Sequence, residues 1–257
     1  MHRFSGVPAR LYARLSAIEF FHAHELHWVA KTASTNDDLK AGWLSADYSQ
    51  QIRVADFQTA GRGQYGRRWR GGAGQALMFS FTAVLTPGHF APSLLAGIAL
   101  AEAVKSFELS ESAKIWLKWP NDVWLADRKL AGILTESCLI QGKMHCIIGV
   151  GLNLLPLEDS DVVSASLFEL AGSVEPSDVL CRFCHSWNEH WKKTDDQLAA
   201  LWAKHAGDFW KTPFRITCEN AEYNALPISL SSDGGLVVRD EDGNEKLLVS
   251  ASLKPLF

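Results

Sequence analysis

The pattern of apolar residues between Leu26 and Leu154 constrains the fold of this chain most strongly. Short apolar segments alternate with two helical patterns, and glycine, asparagine and aspartate occupy the junctions between them. Alternating segments bounded by turn residues are typical of strands, whereas apolar residues three and four positions apart are typical of helices. The pattern therefore predicts a mixed α/β fold in which helices flank a sheet. Strands are expected at 52–57, 77–85, 115–119, 123–125, 130–139 and 145–150.

The pattern changes twice in the remainder of the chain. Residues 179–210 have the apolar spacing of a helical segment, and short alternating segments follow from Phe214. Asp-Gly-Gly at 233–235 and Asp-Gly at 242–243 separate these segments and are typical of hairpin turns. They predict a small C-terminal β-barrel. The expected division is an N-terminal extension at 1–26 with one amphipathic helix, a main domain at 27–212 and the barrel at 213–257.

The composition limits the kinds of partner. Hydrophobic residues make up 47% of the 257 residues, and 25 lysines and arginines stand against 29 acidic residues. The formal charge of −4 gives no overall basic field, so we expect neither DNA nor a membrane surface as a partner. The most apolar run, 94–104, is interrupted by Glu102 and is too short to cross a bilayer. The five cysteines are scattered through apolar segments, which indicates reduced thiols in a cytoplasmic protein.

The densest signal for chemistry is the segment 58–69, which connects two predicted strands and which we call the Gly-Arg loop. Its glycines allow backbone amides to approach a ligand closely, and Arg62, Arg67 and Arg68 place positive charge at the same position. Such a loop suits an anionic ligand. It lacks the Gly-Lys-Ser/Thr ending of a P-loop and does not open a helix, so neither the P-loop nor the dinucleotide-binding motif applies.

Four further segments place polar groups at the ends of predicted elements. Residues 34–36, Ser-Thr-Asn, are rich in N-cap types and precede a helical pattern, so their amides are expected at a helix start. Residues 118–122, Lys-Trp-Pro-Asn-Asp, contain a turn between two strands. Lys129 opens the next strand, where it can hold a carboxylate or phosphate oxygen. Residues 149–153, Gly-Val-Gly-Leu-Asn, end another strand with glycines suited to close approach by a purine or ribose.

Taken in chain order, these segments resemble the motifs of the biotin–protein ligase family, also called biotin–[acetyl-CoA-carboxylase] ligase or holocarboxylase synthetase. The resemblance implies a class II synthetase-like catalytic domain with a mixed sheet flanked by helices, and a C-terminal SH3-like β-barrel. The motifs that carry it are Ser34-Thr35-Asn36, Gln58 with Gly61-Arg62-Gly63-x-x-Gly66-Arg67-x-Trp69, Lys118-Trp119-Pro120-Asn121-Asp122, Lys129-Leu130-Ala131-Gly132-Ile133-Leu134 and Gly149-x-Gly151-x-Asn153.

The resemblance also implies an activity. Family members activate biotin with ATP to biotinyl-5′-adenylate and pyrophosphate, and then transfer the biotinyl group to one lysine of a biotin carboxyl carrier protein or domain. Biotin, ATP with Mg²⁺ and such a carrier are therefore the expected ligands and partner. A monomer or a weak homodimer is the expected state of assembly.

Roles follow by position in the motifs. Lys129 would contact the biotin carboxylate and then the adenylate phosphate, and Asp122 would orient or deprotonate the incoming lysine. The residues implied for catalysis are Lys129, Arg62, Lys118 and Asp122. The residues implied for biotin binding are Ser34, Thr35, Asn36, Gln58, Gly61, Arg62, Gly63, Lys129, Gly132 and Leu134. The residues implied for ATP and adenylate binding are Arg62, Arg67, Trp69, Asn121, Lys129 and Asn153. No metal held by side chains alone is implied, since Mg²⁺ would enter with ATP, near Asn121 and Asp122.

Three other interpretations compete with this one. A lipoate or octanoate ligase or transferase of the same superfamily shares the acyl-to-lysine chemistry, but such relatives do not combine the Gly-Arg loop with Lys-Trp-Pro-Asn-Asp. Residues 181–185, Cys-Arg-Phe-Cys-His, satisfy the haem-attachment pattern, although they lie in a helical pattern and no secretion signal is recognisable. A DNA-binding regulator would need a winged helix-turn-helix, for which residues 1–26 leave no room.

The Gly-Arg loop departs from the family pattern at Gln64-Tyr65, where relatives often have two consecutive basic residues. The loop therefore carries less positive charge over a bound adenylate than it does in many relatives. If the missing charge helps to retain the intermediate, we expect biotinyl-adenylate to be released more readily. The expected loss of binding free energy is about 1 kcal/mol for one charge-assisted contact.

Overall fold

The computed structural model describes residues 9–44, 49–85, 90–107, 113–156, 164–218 and 221–256. The helices are α1 (Ala9–Ser16), α2 (Thr35–Leu44), α3 (Pro92–Lys105), α4 (Phe168–Ala171), α5 (Pro176–His190) and α6 (Asp195–Ala206). The strands are β1 (Glu25–Val29), β2 (Gln51–Ala55), β3 (Ala76–Leu85), β4 (Ile115–Lys118), β5 (Asp122–Leu125), β6 (Arg128–Ile140), β7 (Lys143–Asn153), β8 (Phe214–Cys218), β9 (Ala221–Leu230), β10 (Leu236–Asp240), β11 (Glu245–Leu248) and β12 (Ser252–Pro255).

Seven strands form the larger sheet, in the order β1-β2-β3-β7-β6-β5-β4. β1 and β2 run parallel, and every other neighbouring pair is antiparallel. β3, β7 and β6 lie at the centre and are the longest strands, since both faces of the sheet are covered there and β-branched and aromatic residues are stabilised by that burial. The predicted mixed sheet is confirmed, with strand boundaries that differ by a few residues.

Different elements cover the two faces of this sheet. On one face, which we call the helix face, α3 and α5 pack on the strands, and the rings of Phe79 and Phe183 meet edge to face at 5.0 Å. On the other face, which we call the α2 face, α2 contacts β2, β3 and β7. Side chains alternate along a strand, so Ser80 and Gly149 belong to the α2 face while their neighbours belong to the helix face.

The region predicted as one helical segment, 179–210, is divided into α5, α6 and a 3-10 helix at Gly207–Lys211. Thr194 begins α6 with a capping box: its hydroxyl accepts from the Gln197 backbone N–H, and the Gln197 side chain accepts from the Thr194 N–H. A capping box defines a helix start. The break between the helices therefore follows from a local signal that apolar spacing does not reveal.

The N-terminal extension contains the expected amphipathic helix, α1. Leu11 and Leu15, with Ile18 just after the helix, are almost fully buried, and α1 contacts α5. The extension therefore packs on the helix face. No helix among the described residues has the length and apolar character needed to cross a membrane.

The cysteines are all free thiols, as the sequence predicts. Cys181 and Cys184 lie in α5 and are buried in the core. Burial raises the pKa of both thiols, so they remain protonated at neutral pH. The Cys-x-x-Cys-His segment is thus part of the packing of a helix.

Five strands form a second, antiparallel sheet in the order β11-β10-β9-β8-β12. Gly234 and Gly243 occupy its hairpin turns with φ values of +93° and +86°, which glycine adopts without strain. The Trp119 indole N–H donates to the Gly234 carbonyl at 3.0 Å and links this sheet to the larger one. This small C-terminal sheet agrees with the predicted SH3-like barrel.

Candidate active site

Three glycines of β6 and β7 lie together on the α2 face, and we call Gly132, Gly149 and Gly151 the glycine floor. A Cβ atom at Gly149 would lie 2.1 Å from Asn36 Oδ1, and one at Gly151 would lie 2.4 Å from Trp69 Cε2. Only glycine therefore lets these two side chains rest on the strands. The sequence predicts that glycines in β7 admit a purine or ribose, whereas in this structure they seat side chains of the protein itself.

The start of α2 forms a polar cradle with Gln58 and β3. Gln58 Oε1 accepts from the Thr35 backbone N–H at 2.7 Å, and the Thr35 and Ser80 hydroxyl oxygens lie 2.7 Å apart. Ser80 also donates to Asn36 Oδ1 at 2.6 Å. Ser34 caps α2, because its hydroxyl accepts from the backbone N–H three residues later at 3.4 Å. Thr35, Asn36 and Gln58, all predicted for biotin binding, are thus joined with Ser80 in one hydrogen-bonded network, and Ser34 caps the same helix.

Ser80 belongs to the cradle although no sequence motif singled it out. It is fully buried in β3, where most of the neighbouring residues are apolar. A hydroxyl inside a buried apolar strand is the signal that identifies such a residue, because buried polar groups need partners. Leu134, another residue predicted for biotin binding, contributes its carbonyl oxygen, which accepts from Asn36 Nδ2 at 3.3 Å.

Arg62 lies between two carboxylates beside the cradle. Its guanidinium pairs with Asp37 and, at 3.0 Å, with Glu136. Lys40 and Asn36 also bind Glu136, at 2.8 Å and 3.0 Å. Burial alone would raise the pKa of Glu136, but these hydrogen bonds and the nearby positive charges lower it. The ion pairs of Arg62 are therefore with Asp37 and Glu136, which the sequence motifs did not single out.

Lys118, Asp122 and Lys129 form what we call the cation cluster. Lys118 and Asp122 face each other across the β4–β5 hairpin, and Asp122 lies opposite Gly132 of β6. Lys129 Nζ is 2.6 Å from Asp122 Oδ1, and Lys118 Nζ is 3.6 Å from Asp122 Oδ2. Two positive charges and one negative charge give the cluster a net positive charge, which favours an anionic ligand. The structure thus brings together three of the four predicted catalytic residues.

Burial and pairing set the charge states in the cation cluster. Burial would raise the pKa of Asp122, but the charges of Lys129 and Lys118 outweigh it and lower that pKa. Burial lowers the pKa of Lys118; Asp122 opposes this effect, and the charges of Lys129 and Arg67 reinforce it. Asp122 is therefore ionised and a weak base. Its clearest effect is to hold the two ammonium groups in place.

Trp69 and Asn153 lie beside the cation cluster. Lys129 Nζ is 5.8 Å from the Trp69 ring centroid, and Asn153 Nδ2 donates to the Ala165 carbonyl at 3.0 Å. Asn153 follows Gly151 by two positions on the same strand face. Trp69 Nε1 and Asn153 Oδ1 are buried and have no hydrogen-bond partner among the described residues. A ligand with its own donor and acceptor groups, such as a nucleobase, can satisfy them.

The Gly-Arg loop is closed by its own backbone. The Trp69 N–H donates to the Gly61 carbonyl at 3.0 Å, and the Gly63 N–H donates to the Arg67 carbonyl at 2.7 Å. A Cβ atom at Gly61 would lie 3.0 Å from the Trp69 carbonyl oxygen, so the loop is tight at that position. The Gly63 amide is therefore used inside the loop, while the Arg67 side chain reaches Ser252 of β12 at 2.7 Å.

Asn121 fastens the turn between β4 and β5 to the neighbouring strand. Its Nδ2 donates to the Ile133 carbonyl at 2.7 Å, and the Ile133 N–H donates to the Asn121 carbonyl at 2.8 Å. Only its side-chain oxygen remains for a ligand. Asp122, the other residue predicted near Mg²⁺, has both carboxylate oxygens directed at lysines. Asn121 and Asp122 therefore do not form a cage of oxygen ligands for a hard cation.

Potential metal ligands meet elsewhere in the described part of the chain. Atoms of Glu102, Glu189 and His190 lie within 4.8 Å of one another. These residues belong to α3 and α5 on the helix face. They are remote from the cation cluster and take no part in the site.

Known proteins match this sequence and this fold. The profile of the Biotin/lipoate A/B protein ligase family matches residues 28–153, which span β1 to β7. A biotin–[acetyl-CoA-carboxylase] ligase of Mycobacterium tuberculosis is 35% identical over 189 residues, which cover 68% of each chain. A bifunctional ligase/repressor BirA of Salmonella typhimurium is 41% identical over 105 residues, but these are 39% of this chain and only 32% of that protein.

A solved structure extends the likeness to nearly the whole chain. The biotin protein ligase of Aquifex aeolicus in complex with biotin and ATP matches with a TM-score of 0.70 and 27% identity, over 90% of this chain and 98% of that one. The chain therefore belongs to the biotin/lipoate A/B protein ligase family and is one of its biotin protein ligases.

Proposed function

We propose that this enzyme uses biotin and ATP to make biotinyl-5′-adenylate and pyrophosphate, and then transfers the biotinyl group to one lysine of a biotin carboxyl carrier domain. The observation that carries the proposal is the position of the cation cluster next to Trp69, on the same sheet face as the polar cradle. One end of the site suits a small polar ring, and the other suits an anion. The Aquifex aeolicus relative was solved with biotin and ATP, which supports the choice of substrates.

The cradle is the proposed site of the biotin ureido ring. That ring has two N–H donors and one carbonyl acceptor, and the hydroxyls of Ser34, Thr35 and Ser80 can serve as either donor or acceptor. Gln58 Nε2 has only a 3.3 Å contact with the Met78 sulfur and is the best placed amide donor. A few directed polar groups inside a buried pocket are the usual means of orienting a small ligand.

The cation cluster is the proposed site of the reacting anions. In the first step, a carboxylate oxygen of biotin attacks the α-phosphorus of ATP and pyrophosphate leaves. Two anions repel each other, so catalysis needs fixed positive charge at the point of approach. Lys129 is the residue that would contact the carboxylate and then the adenylate phosphate, with Lys118 and Arg67 adding charge nearby. Arg62 would join this group only after exchanging its Asp37 and Glu136 partners for the ligand.

Trp69 and Asn153 form the proposed adenine site. The Trp69 indole can stack on the base, and Asn153 Oδ1 can accept a hydrogen bond from the adenine amino group. Mg²⁺ would enter bound to the ATP phosphates, with Asn121 Oδ1 as the nearest protein oxygen proposed for it. The metal would neutralise phosphate charge, and the protein groups would position the nucleotide.

In the second step, a neutral carrier amine attacks the acyl carbon of the mixed anhydride, and AMP leaves. A free lysine has a pKa of about 10.4, so its amine must lose a proton before or during attack. Asp122, with its lowered pKa, is poorly suited to remove that proton. We therefore propose that Asp122 orients the lysines of the site and that Lys129 stabilises the departing AMP phosphate.

Several finer features remain proposals. The catalytic domain is assigned to residues 27–212, the C-terminal domain to 213–257 and the extension to 1–26. The carrier domain of acetyl-CoA carboxylase or a related biotin-dependent carboxylase is the proposed partner. We also propose a cytoplasmic enzyme that acts as a monomer or a weak homodimer and has no DNA partner.

Exchange of radiolabelled pyrophosphate into ATP tests the acyl substrate. Biotin should drive the exchange, whereas lipoate and octanoate should leave it at the background rate. The Lys129→Ala variant provides the control for contaminating activity. Exchange that is driven by lipoate or octanoate and not by biotin would contradict the proposal and favour the lipoate ligase interpretation.

A further inference from the structure

The Gly-Arg loop is attached to the C-terminal sheet by two side-chain contacts. The Tyr65 and Ser250 hydroxyl oxygens lie 2.9 Å apart, and Arg67 Nη2 donates to Ser252 Oγ at 2.7 Å. Both contacts join residues 185 positions apart in the chain. We call these four residues the loop latch. Tyr65, Ser250 and Ser252 have no role in the proposed chemistry.

The C-terminal side of the latch is rigid. Ser250 and Ser252 flank Ala251, which is 2% exposed and belongs to the hydrophobic core. Ser252 opens β12, where it pairs with Thr217 of β8. Alternation along an extended segment directs the two serines to the same side, away from the buried alanine. The loop is therefore fastened to an element that is itself held by the core.

The loop side of the latch has an unusual backbone. Tyr65 has φ +55°, a left-handed conformation that is unfavourable for a residue with a Cβ atom. The residue is 58% exposed, so apolar burial does not account for its position, whereas its hydroxyl contacts Ser250. The Arg67 guanidinium lies 5.7 Å from the Tyr65 ring centroid. The two side chains thus extend together towards the two serines.

The latch reaches the chemistry through Arg67. Arg67 donates to Ser252 of β12, and Lys118 Nζ lies 6.0 Å from the ring of Phe214 on β8, the strand that pairs with β12. The charge of Arg67 accordingly helps to lower the pKa of Lys118. The other end of the loop is fixed as well, because Trp69 rests on the glycine floor. A loop held at Tyr65, Arg67 and Trp69 is positioned before nucleotide binds, which reduces the ordering cost of binding.

We propose that Tyr65, Ser250 and Ser252 are positioning residues that hold the Gly-Arg loop and Arg67 over the nucleotide. The C-terminal sheet thereby helps to retain biotinyl-adenylate, in place of the basic side chains that the loop lacks at positions 64 and 65. The effect on the adenylate rests on the proposed function. The attachment of the loop to the C-terminal sheet is independent of the proposed function, so the attachment and its effect on the adenylate can be tested separately.

Limited digestion with trypsin tests the attachment without any ligand. Arg62, Arg67 and Arg68 are cleavage sites inside the loop. Tyr65→Phe and Ser250→Ala each remove one hydroxyl, and cleavage within the loop should become about two- to tenfold faster, the range expected for one hydrogen bond. The double variant should be no faster than either single variant, because both remove the same contact. Ser229→Ala, an exposed serine elsewhere in the C-terminal sheet, is the control and should match the wild type.

Adenylate retention tests the positioning role. Tyr65→Phe, Ser250→Ala and Ser252→Ala should raise the off-rate of biotinyl-adenylate and the KM for ATP by about two- to tenfold, with little change in kcat of pyrophosphate exchange. Wild-type digestion rates in the variants would overturn the attachment. Faster digestion with unchanged off-rate and KM would overturn the positioning role. Absence of biotin-dependent exchange in the wild type would instead refute the proposed function, while the digestion result would still decide whether the latch exists.

Discussion

The two faces of the larger sheet are made by the same strands and differ in almost every physical respect. On the helix face, side chains such as Phe79, Phe183 and Trp187 are fully buried and packed against one another. On the α2 face, glycines remove side-chain volume, and the hydrogen-bonded cradle and the paired charges of the cation cluster lie over the strands. The comparison indicates that alternation along β3, β6 and β7 separates packed core side chains from the glycines and polar groups of the candidate site.

The two faces also differ in how a partly or fully buried carboxylate is paired. Glu102, on the helix face, accepts from the Ser186 hydroxyl and lies 2.8 Å from His190 Nε2 and 3.2 Å from His205 Nε2. It links α3, α5 and α6. Asp122, on the site side, is paired with two lysines that an anionic ligand can also bind. The first carboxylate joins three helices, and the second holds two lysines of the candidate site.

Lys129 gives the largest expected effect on the α2 face. Lys129→Ala should lower adenylate formation by about 10²–10³-fold, because it removes charge that stabilises the reacting anions. The fold should persist, because the side chain contributes no core volume, but the melting temperature should fall, because the buried Asp122 carboxylate keeps only Lys118 as an ion-pair partner. Pyrophosphate exchange and calorimetry measure the two quantities. Lys192→Ala, an exposed lysine paired with Glu19, is the control for loss of a surface charge.

Asp122 separates the two half-reactions. Asp122→Asn should reduce transfer from preformed biotinyl-adenylate to a carrier domain more than it reduces adenylate synthesis. The expected loss in the transfer rate is roughly ten- to a hundredfold, the effect of one misplaced positioning group. The transfer step depends more on Asp122, because Lys129 would then face the departing AMP phosphate alone, whereas Mg²⁺ bound to ATP would share the phosphate charge during adenylate synthesis. Single-turnover measurements of each step provide the comparison. Equal losses in both steps would indicate a role in ATP positioning instead.

A matched pair of glycine substitutions compares the faces directly. Gly151→Ala would place a Cβ atom 2.4 Å from Trp69, and displacement of the indole should weaken ATP binding by about 1–3 kcal/mol, the value of one stacked base. Gly97→Ala, in α3, meets its nearest side-chain atom at 3.5 Å and should raise the free energy of unfolding by about 0.5–1 kcal/mol. Weaker ATP binding by the Gly97→Ala variant, or unchanged ATP binding by the Gly151→Ala variant, would contradict the proposed difference between the two faces.

The helix face should lose stability at low pH. Burial would raise the pKa of Glu102, but hydrogen bonds from His190, His205 and Ser186 outweigh it and lower that pKa well below its usual range. A carboxyl group with a lowered folded-state pKa contributes fully above its unfolded pKa of about 4.3 and loses that contribution as the pH falls. The free energy of unfolding should therefore decrease progressively as the pH is lowered below about 5. Glu102→Gln should weaken the pH dependence of the free energy of unfolding in this range. An unchanged pH dependence in the variant would contradict the role of Glu102.

The smallest expected effect concerns position 64. Gln64→Arg should stabilise bound biotinyl-adenylate by about 1 kcal/mol and so lower its off-rate about fivefold, because it adds one charge-assisted contact to the loop. Labelling of an unrelated bystander protein in dilute solution measures the release. Unchanged labelling would indicate that the loop latch, with Tyr65 at its centre, already retains the intermediate and that the side chain at position 64 contributes little.

Local patterns predicted most of the fold and part of the site. The strands, α2 with its Ser34 cap, and the Lys118–Asp122 turn follow from residue types that are close in sequence. Glu136 and Ser80 were missed, because each is a single polar residue inside a strand whose partners lie on another element. The attachment of Tyr65 to Ser250 was also beyond local patterns, since a contact between distant segments is set by tertiary packing alone.

Mass analysis of a carrier domain after one round of reaction tests the central claim most directly. The enzyme is incubated with biotin, ATP, Mg²⁺ and the carrier domain of acetyl-CoA carboxylase, together with a control carrier whose acceptor lysine is replaced by arginine. We expect one biotinyl group on that lysine, none on the control carrier, and AMP and pyrophosphate in equal amounts. An unmodified carrier, or a carrier that is modified only when lipoate replaces biotin in the mixture, would contradict the assignment of the α2 face to biotin transfer.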